Sequence, residues 1–353
     1  MTEASTPFVD ETPCLTPLEL SINGQLKVEP EDFVVEEVPA YLPSGVGEHL
    51  FLWIQKRDIS AEFLTGHIAR SLGVRRDDIG VAGLKDRRAV TRQWISVPAT
   101  AEERIEAINT PAIQVLEAKR HGNKLKTGHL RGNRFELIVR GEPGQLAIAQ
   151  QIAAAIAEQG VPNYFGDQRF GHDGETLTLG MSLLKGETDP RSIPSPKRKF
   201  LLRLALSAAQ SSLFNTVLAR RLQAGTLHSV QPGDVMQVCA SGGLFVVEDV
   251  PSEQPRFDAR ETVITGPIFG PKMKSPLGDV LQLEQEILTA TGLTREVFRT
   301  HSKLTPGTRR PLLLWPENLT VADHPHGLRL TFTLPSGCYA TVVLREFLKE
   351  NRD

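Results

Sequence analysis

An α+β fold in two domains is predicted by three observations. The chain has 353 residues, more than one ordinary hydrophobic core accommodates. Up to Pro162, period-two apolar runs stand beside capped amphipathic helices. Past Pro162 the texture changes, and "LRLTFTLPSGCYATVVLREFL" then returns to the earlier pattern, so one domain is expected to be inserted into a discontinuous host.

The first fifteen or so residues mix Pro, Thr and acids without periodicity and are expected to trail loosely. Order is expected from "GQLKVEPEDFVVEEVP", whose β-branched pieces flank Pro30, and "HLFLWIQKR" reads as a second strand. Ser60 is the expected cap of a helix with Phe63, Leu64, His67, Ile68 and Leu72 on one face and Gly73 as its stop. Gln93 to Val97 reads as a strand, and Thr100 with Glu103 as a capping box opening a short helix. "NRFELIVR" alternates Phe135, Leu137 and Val139 with polar residues, as a strand with one buried face does. "QLAIAQQIAAAIAEQG" is an amphipathic helix that Gly160 and Pro162 end. Beyond it come a Pro-rich stretch, a long helix across "LALSAAQSSLFNTVLARRLQ", strands at "GDVMQV" and "GLFVVED", helix near 281–301, and a strand, turn and helix at the end.

Composition excludes several classes. No apolar run approaches the roughly 20 residues of a membrane span, and "MTEASTPFVDETP" has no signal-peptide pattern, so an intracellular, cytoplasmic protein is expected. Three widely spaced cysteines suit reduced thiols and offer no zinc knuckle. The net charge of −2 gives no global reason for a nucleic-acid partner. Local charge does: "KRHGNKLKTGHLRGNR" carries six Lys or Arg, two His and no acid, and "SPKRKFLLR" adds further cations. Such blocks collect phosphates along a groove or form a solvated hairpin or linker.

"GVAGLK" lacks the spacing and hydroxyl of a phosphate loop, and "GVGEHL" lacks the third glycine of a dinucleotide fingerprint. His324 and His326 have no third metal ligand in sequence. No nucleotide cofactor or metal is therefore expected. What remains is "VAGLKDRRAV", where Asp86 lies between Lys85 and Arg87 and Arg88, with Arg92 behind. Cations around a carboxylate favour its ionised form, which suits a nucleophile or the stabilisation of a cationic sugar better than a general acid. Read alone, the stretch is also a β-turn whose charges neutralise one another, the commoner case.

"GLKDRRAVTRQW" resembles the catalytic motif of the TruD family of tRNA pseudouridine synthases, whose motif aspartate falls on Asp86. "RGNRF", "NYFGDQRFG", "AAQSSLFN", "TPGTRRPL" and "LPSGCYATVVLRE" resemble further family segments, in family order, over about residues 25 to 347. The resemblance implies a pseudouridine synthase catalytic domain, with an antiparallel or mixed sheet flanked by helices, in residues 21–162 plus 310–353. It also implies an inserted α/β domain at 163–309 and a flexible segment at 1–20.

It implies the reaction as well: a tRNA uridine, at position 13, is detached from its ribose, turned and rejoined through carbon 5, without a cofactor. Asp86 would attack the ribose or the uracil, or act on a sugar hydrogen. Phe33, Asn133, Phe135 and Tyr339 match the uridine-pocket positions of a flipped-out base, with Tyr339 where close relatives are expected to have Phe. Lys27, Lys85, Arg87 and Gln93 are candidates for supporting or backbone-binding roles. Lys119, Arg120, Lys124, Lys126 and Arg131 are candidates for phosphate contacts, and the enzyme is expected to act as a monomer. Read without the family, Phe33 and Phe135 fit a core and Asn133 fits a turn. Three rivals stay open: a non-catalytic RNA-binding protein, the same fold acting on another RNA site, and a small-molecule enzyme.

Overall fold

The computed structural model describes residues 12–349. They form two compact units, one of Glu19–Glu158 and Pro316–Ala340, the other of Gln159–Trp315 with the chain up to Leu18 and from Thr341 onward. The sequence placed the divisions at 162/163 and 309/310 and grouped the C-terminal helix with the first unit.

The first unit is an α+β layer structure. In chain order it has β1 (Phe33–Pro39), β2 (His49–Arg57), α1 (Ala61–Leu72), β3 (Gly80–Val81), β4 (Val90–Pro98), β5 (Ile113–His121), β6 (Leu130–Arg140) and α2 (Leu146–Gln159). Ser60 caps α1 through its side chain, which accepts from Phe63 N, and Gly73 closes the helix in the left-handed region at φ 62°. Leu64, Ile68 and Leu72 pack on Leu50, Leu52, Ile54, Ile95 and Val97 of β2 and β4, each burial contributing about 1.5–3 kcal/mol. Phe63 departs from the expected face and stays exposed.

On the other side of the sheet Phe51, Trp94, Ala82 and Leu125 form a second cluster. Both faces of β2 are thus covered, which accounts for the near-continuous apolar run in "HLFLWI". The capping box expected at Thr100 is absent. Ala99 N donates to Glu48 O, and a 3-10 helix over Ala99–Ile108 starts with Pro98 as its N-cap and no side-chain cap.

The second unit begins with β7 (Val161–Pro162), α3 (Glu175–Lys185), α4 (Ser195–Gln223), β8 (Val235–Val238), β9 (Leu244–Val246), α5 (Val250–Asp258) and β10 (Thr262–Ile268). It continues with α6 (Gly278–Ala290), α7 (Val297–Thr300), β11 (Thr308–Pro311) and β12 (Leu313–Leu314). The cationic block "SPKRKFLLR" forms the opening turns of α4, neither a linker nor a hairpin. Deeper in that helix Asn215 brackets the "NYFG" segment, accepting from Phe165 N and donating to Phe165 O, both at 2.9 Å. The strands pair in the order β11-β10-β8-β9, with β12 on β7.

Back in the first unit, β13 (Glu317–His324) and β14 (Gly327–Pro335) complete its sheet, in the order β13-β14-β6-β1-β4-β2-β5, with β3 on β4. The sheet is mixed, because β1 runs parallel to β4 and antiparallel to β6. The closing helix α8 (Ala340–Leu348) holds the start of the described chain. Leu15 N and Thr16 N each donate to the Glu346 carboxylate at 2.9 Å. Residues 14–16 therefore do not trail as expected; residues 1–11 of the expected flexible segment lie outside the described residues.

Candidate active site

Strand alternation and register determine which side chains meet. Phe33, Val35 and Glu37 share one face of β1. Val35 pairs with Phe135 and Glu37 with Asn133 on β6, while Phe332 and Leu334 of β14 continue the two rows. Phe33 and Phe135 meet edge to face at 6.3 Å, and Phe135 stacks on Phe332 at 5.3 Å. Both expected pocket rings are closed into this row, Phe33 at 2% and Phe135 at 5% exposure.

Lys27 covers Phe33. Its Nζ stands 4.1 Å from the ring centroid and 3.8 Å from Asp86 Oδ1. Lys27 has a φ of 54°, a conformation that costs a non-glycine residue roughly 1–2 kcal/mol. The Asp86 side chain is 45% exposed, so this pair contributes no more than about 1 kcal/mol to stability. Of the expected site residues, Lys27 thus touches both Phe33 and Asp86, and Phe33 in turn touches Phe135.

The cations next to Asp86 in sequence have other partners. Lys85 Nζ binds Glu37 Oε2 at 2.8 Å, with both side chains buried. Arg87 faces Asp58 at 3.9 Å, and Arg92 pairs with Glu36 and Gln55. Of the four cations expected around the Asp86 carboxylate, Lys85, Arg87, Arg88 and Arg92, the first two and the last form ion pairs elsewhere, and the ion pair of Asp86 is with Lys27. Burial pushes the Glu37 carboxyl up, and Lys85 opposes that shift. Because removing one partner leaves a buried charge unpaired, Lys85→Met is expected to destabilise the protein by about 3–5 kcal/mol. Chemical denaturation of that variant beside Lys85→Met/Glu37→Leu checks this, with the double variant recovering most of the loss.

A second buried lysine was missed by the sequence reading. Alternation along β2 puts Lys56 on the face of Leu50, Leu52 and Ile54, and it is 0% exposed. Its Nζ donates to Asp86 O at 2.6 Å and to Ile59 O at 2.7 Å. Burial lowers its pKa to about 8, with Asp86 and Asp58 favouring the charge and Lys85 opposing it. The signal was available: a lysine continues an apolar period-two row.

Two more expected residues carry buried oxygens with no hydrogen-bond partner among the described residues, Gln93 Oε1 and Asn133 Oδ1. Gly132 beside Asn133 admits no side chain, since a Cβ there would lie 2.2 Å from Leu334 O. The turn bearing Tyr339 follows β14 and is tied to β6 by Ser336 N donating to Arg131 O at 3.1 Å. Tyr339 itself is 41% exposed.

The basic tract is a crossover from the edge strand β5 to β6, which are not sheet neighbours. Within it Lys119 pairs with Glu117, Arg120 with Glu102, and Lys124 donates to Asp77 O. Lys126 and Arg131 form no ion pair among the described residues. Lys119, Arg120 and Lys124 thus have partners within the protein, whereas their candidacy for phosphate contacts stays a proposal. A cavity lined by Val34, Gln55, Arg57 and Arg92 opens on the sheet face opposite Lys56 and holds, of the residues singled out in the sequence, Arg92 alone. His324 and His326 have ring centroids 5.5 Å apart, and no group of three metal-ligating side chains occurs among the described residues.

The comparisons with known proteins cover nearly the whole chain. The family model of tRNA pseudouridine synthase D (TruD) matches residues 14–190 and 196–347. The chain belongs to the TruD family. A curated TruD relative, tRNA pseudouridine synthase D of Anaeromyxobacter sp. (strain Fw109-5), is 44% identical over 92% of this chain and 93% of its own. Its counterpart in Thermus thermophilus is 43% identical over 93% of this chain and 89% of its own. A crystal structure described as TruD from Methanosarcina mazei superposes with a TM-score of 0.74 at 27% identity, covering 94% of this chain and 97% of that one.

Proposed function

We propose that this TruD family member converts uridine to pseudouridine in tRNA, at position 13, with Asp86 as its catalytic group. The observation that carries this reading is the Asp86 carboxylate itself, half-exposed beside Lys27 on a loop anchored by two buried lysines. In the reaction the bond from C1′ to N1 breaks, a bond from C1′ to C5 forms, the hydrogen of C5 leaves as a proton, and N1 takes up a proton, so that product and substrate are isomers. A carboxylate serves this as a nucleophile on the ribose or the ring, as a base on the sugar, or by holding a cationic sugar.

A uridine inside folded RNA reaches Asp86 only when flipped out of its stack. We assign Tyr339, whose ring is exposed, to the face of the base, and Asn133 and Gln93, whose buried oxygens have no hydrogen-bond partner among the described residues, to its edge. The first unit serves as the core of the catalytic domain, and residues 163–309 of the second as the family insertion. The enzyme is proposed to work on tRNA as a cytoplasmic monomer; separately, no helix among the described residues is long and apolar enough to cross a membrane.

Carbodiimide-stopped primer extension on tRNA treated with the enzyme tests the site; a stop at position 13 is expected, and a stop elsewhere reassigns the RNA target. Lys126 and Arg131 are the tract's candidates for phosphate contacts. Lys126→Ala and Arg131→Ala are each expected to weaken tRNA binding and flatten its salt dependence by roughly one unit for each phosphate no longer neutralised. Filter binding across a salt series reads both quantities, and an unchanged slope removes the tract from the RNA-binding surface.

A further inference from the structure

Resting on the reading of Asp86 as the catalytic group, we infer that Lys56 is its positioning residue, a buried ammonium that holds the Asp86 main chain and thereby aims the carboxylate. The row Leu50, Leu52, Ile54 calls for another aliphatic side chain at 56, and the chain instead buries a cation completely. Removing a charge from water is costly unless its donors are matched. Here two of its three donors are matched by main-chain oxygens, those of Asp86 and Ile59, at 2.6 and 2.7 Å. Such charge-assisted bonds are short and directional. One is to the carbonyl of the residue whose carboxylate faces Lys27, so it orients the peptide from which that side chain projects.

The surrounding contacts leave this task to Lys56. Lys85, the preceding residue, is committed to Glu37, and Arg87, the following one, to Asp58. Asp58 N holds the far end of the loop by donating to Ala89 O at 3.1 Å. A methionine at 56 has similar length and apolar neighbours to pack on, so it keeps the fold while releasing the Asp86 carbonyl. Misplacing a reacting group by about 1 Å costs on the order of 10²-fold in rate.

The test is steady-state kinetics on tRNA with wild type, Lys56→Met and Asp86→Asn, with thermal melting of each. Lys56→Met is expected to lose at least about 10²-fold in kcat with KM for tRNA unchanged and the melting temperature equal or higher. The wild-type pH profile supplies a readout that needs no variant. Because burial holds Lys56 at about 8, below its unfolded value, the unfolded chain binds more protons from pH 8 upward and the Lys56 contribution to stability rises. Over that interval kcat is expected to fall as the ammonium is lost.

Wild-type kcat in Lys56→Met, or a wild-type kcat that does not fall above pH 8, overturns the inference while Asp86→Asn remains inactive. An active Asp86→Asn overturns the catalytic reading and this inference with it.

Discussion

Replacement of Asp86 by Asn is expected to lower turnover by at least about 10⁴-fold, the scale that applies when the central group of a catalytic unit is removed. The substitution keeps the size and main chain of residue 86, so the Lys56 bond to its carbonyl is retained. The carboxylate contributes little to folding, because its ion pair with Lys27 is partly exposed. Affinity for tRNA stays the same or rises slightly, since an anion is removed from a surface that must receive phosphates. Single-turnover kinetics together with equilibrium binding separate the two effects. A loss of binding equal to the loss of turnover would assign Asp86 to substrate recognition.

A stability effect as large as that at Lys85 is expected in the second unit, at Arg309 of "TPGTRRPL". Its guanidinium is buried, binding Glu284 Oε1 at 2.7 Å, Thr265 O at 2.6 Å and Thr265 Oγ1 at 3.1 Å. Arg309→Met leaves Glu284 buried without its counter-charge, at a cost of about 3–5 kcal/mol; that corresponds to a melting temperature lower by roughly 10 °C. Burial already pushes the Glu284 carboxyl above its ordinary value, and Arg309 is the main influence opposing it.

In the variant the folded state therefore holds a proton on Glu284 that the unfolded chain releases. Its stability deficit is smallest below the ordinary carboxylate pKa and grows as pH rises through the raised value. Melting at pH 5 and pH 8 checks this sign, and Arg309→Met/Glu284→Leu should recover most of the loss at pH 8.

Much of the first unit was legible because its elements carry their own signals. Ser60, Gly73 and the Leu64, Ile68, Leu72 stripe define α1 without tertiary information. Strands β5 and β13 were not read, because both are sheet edges whose exposed residues blur the alternation. Thr100 and Glu103 have the capping-box spacing, yet a tertiary bond from Ala99 N starts the helix earlier.

The site divides in the same way. Asp86 stood out by its chemistry, but its electrostatic partner did not, because adjacency in sequence does not decide where a side chain points. Lys85 turns inward to Glu37, and Lys27 arrives from another part of the chain. Lys56 was visible as a break in an apolar row; its link to Asp86 required the fold.

Tritium release from tRNA labelled at carbon 5 of uridine, with wild type and Asp86→Asn in parallel, tests the central claim most directly. Formation of the new carbon–carbon bond expels that hydrogen, whereas uridine and pseudouridine have equal mass. Release by the wild type and none by Asp86→Asn is the predicted result. Release by both proteins, or by neither, contradicts it.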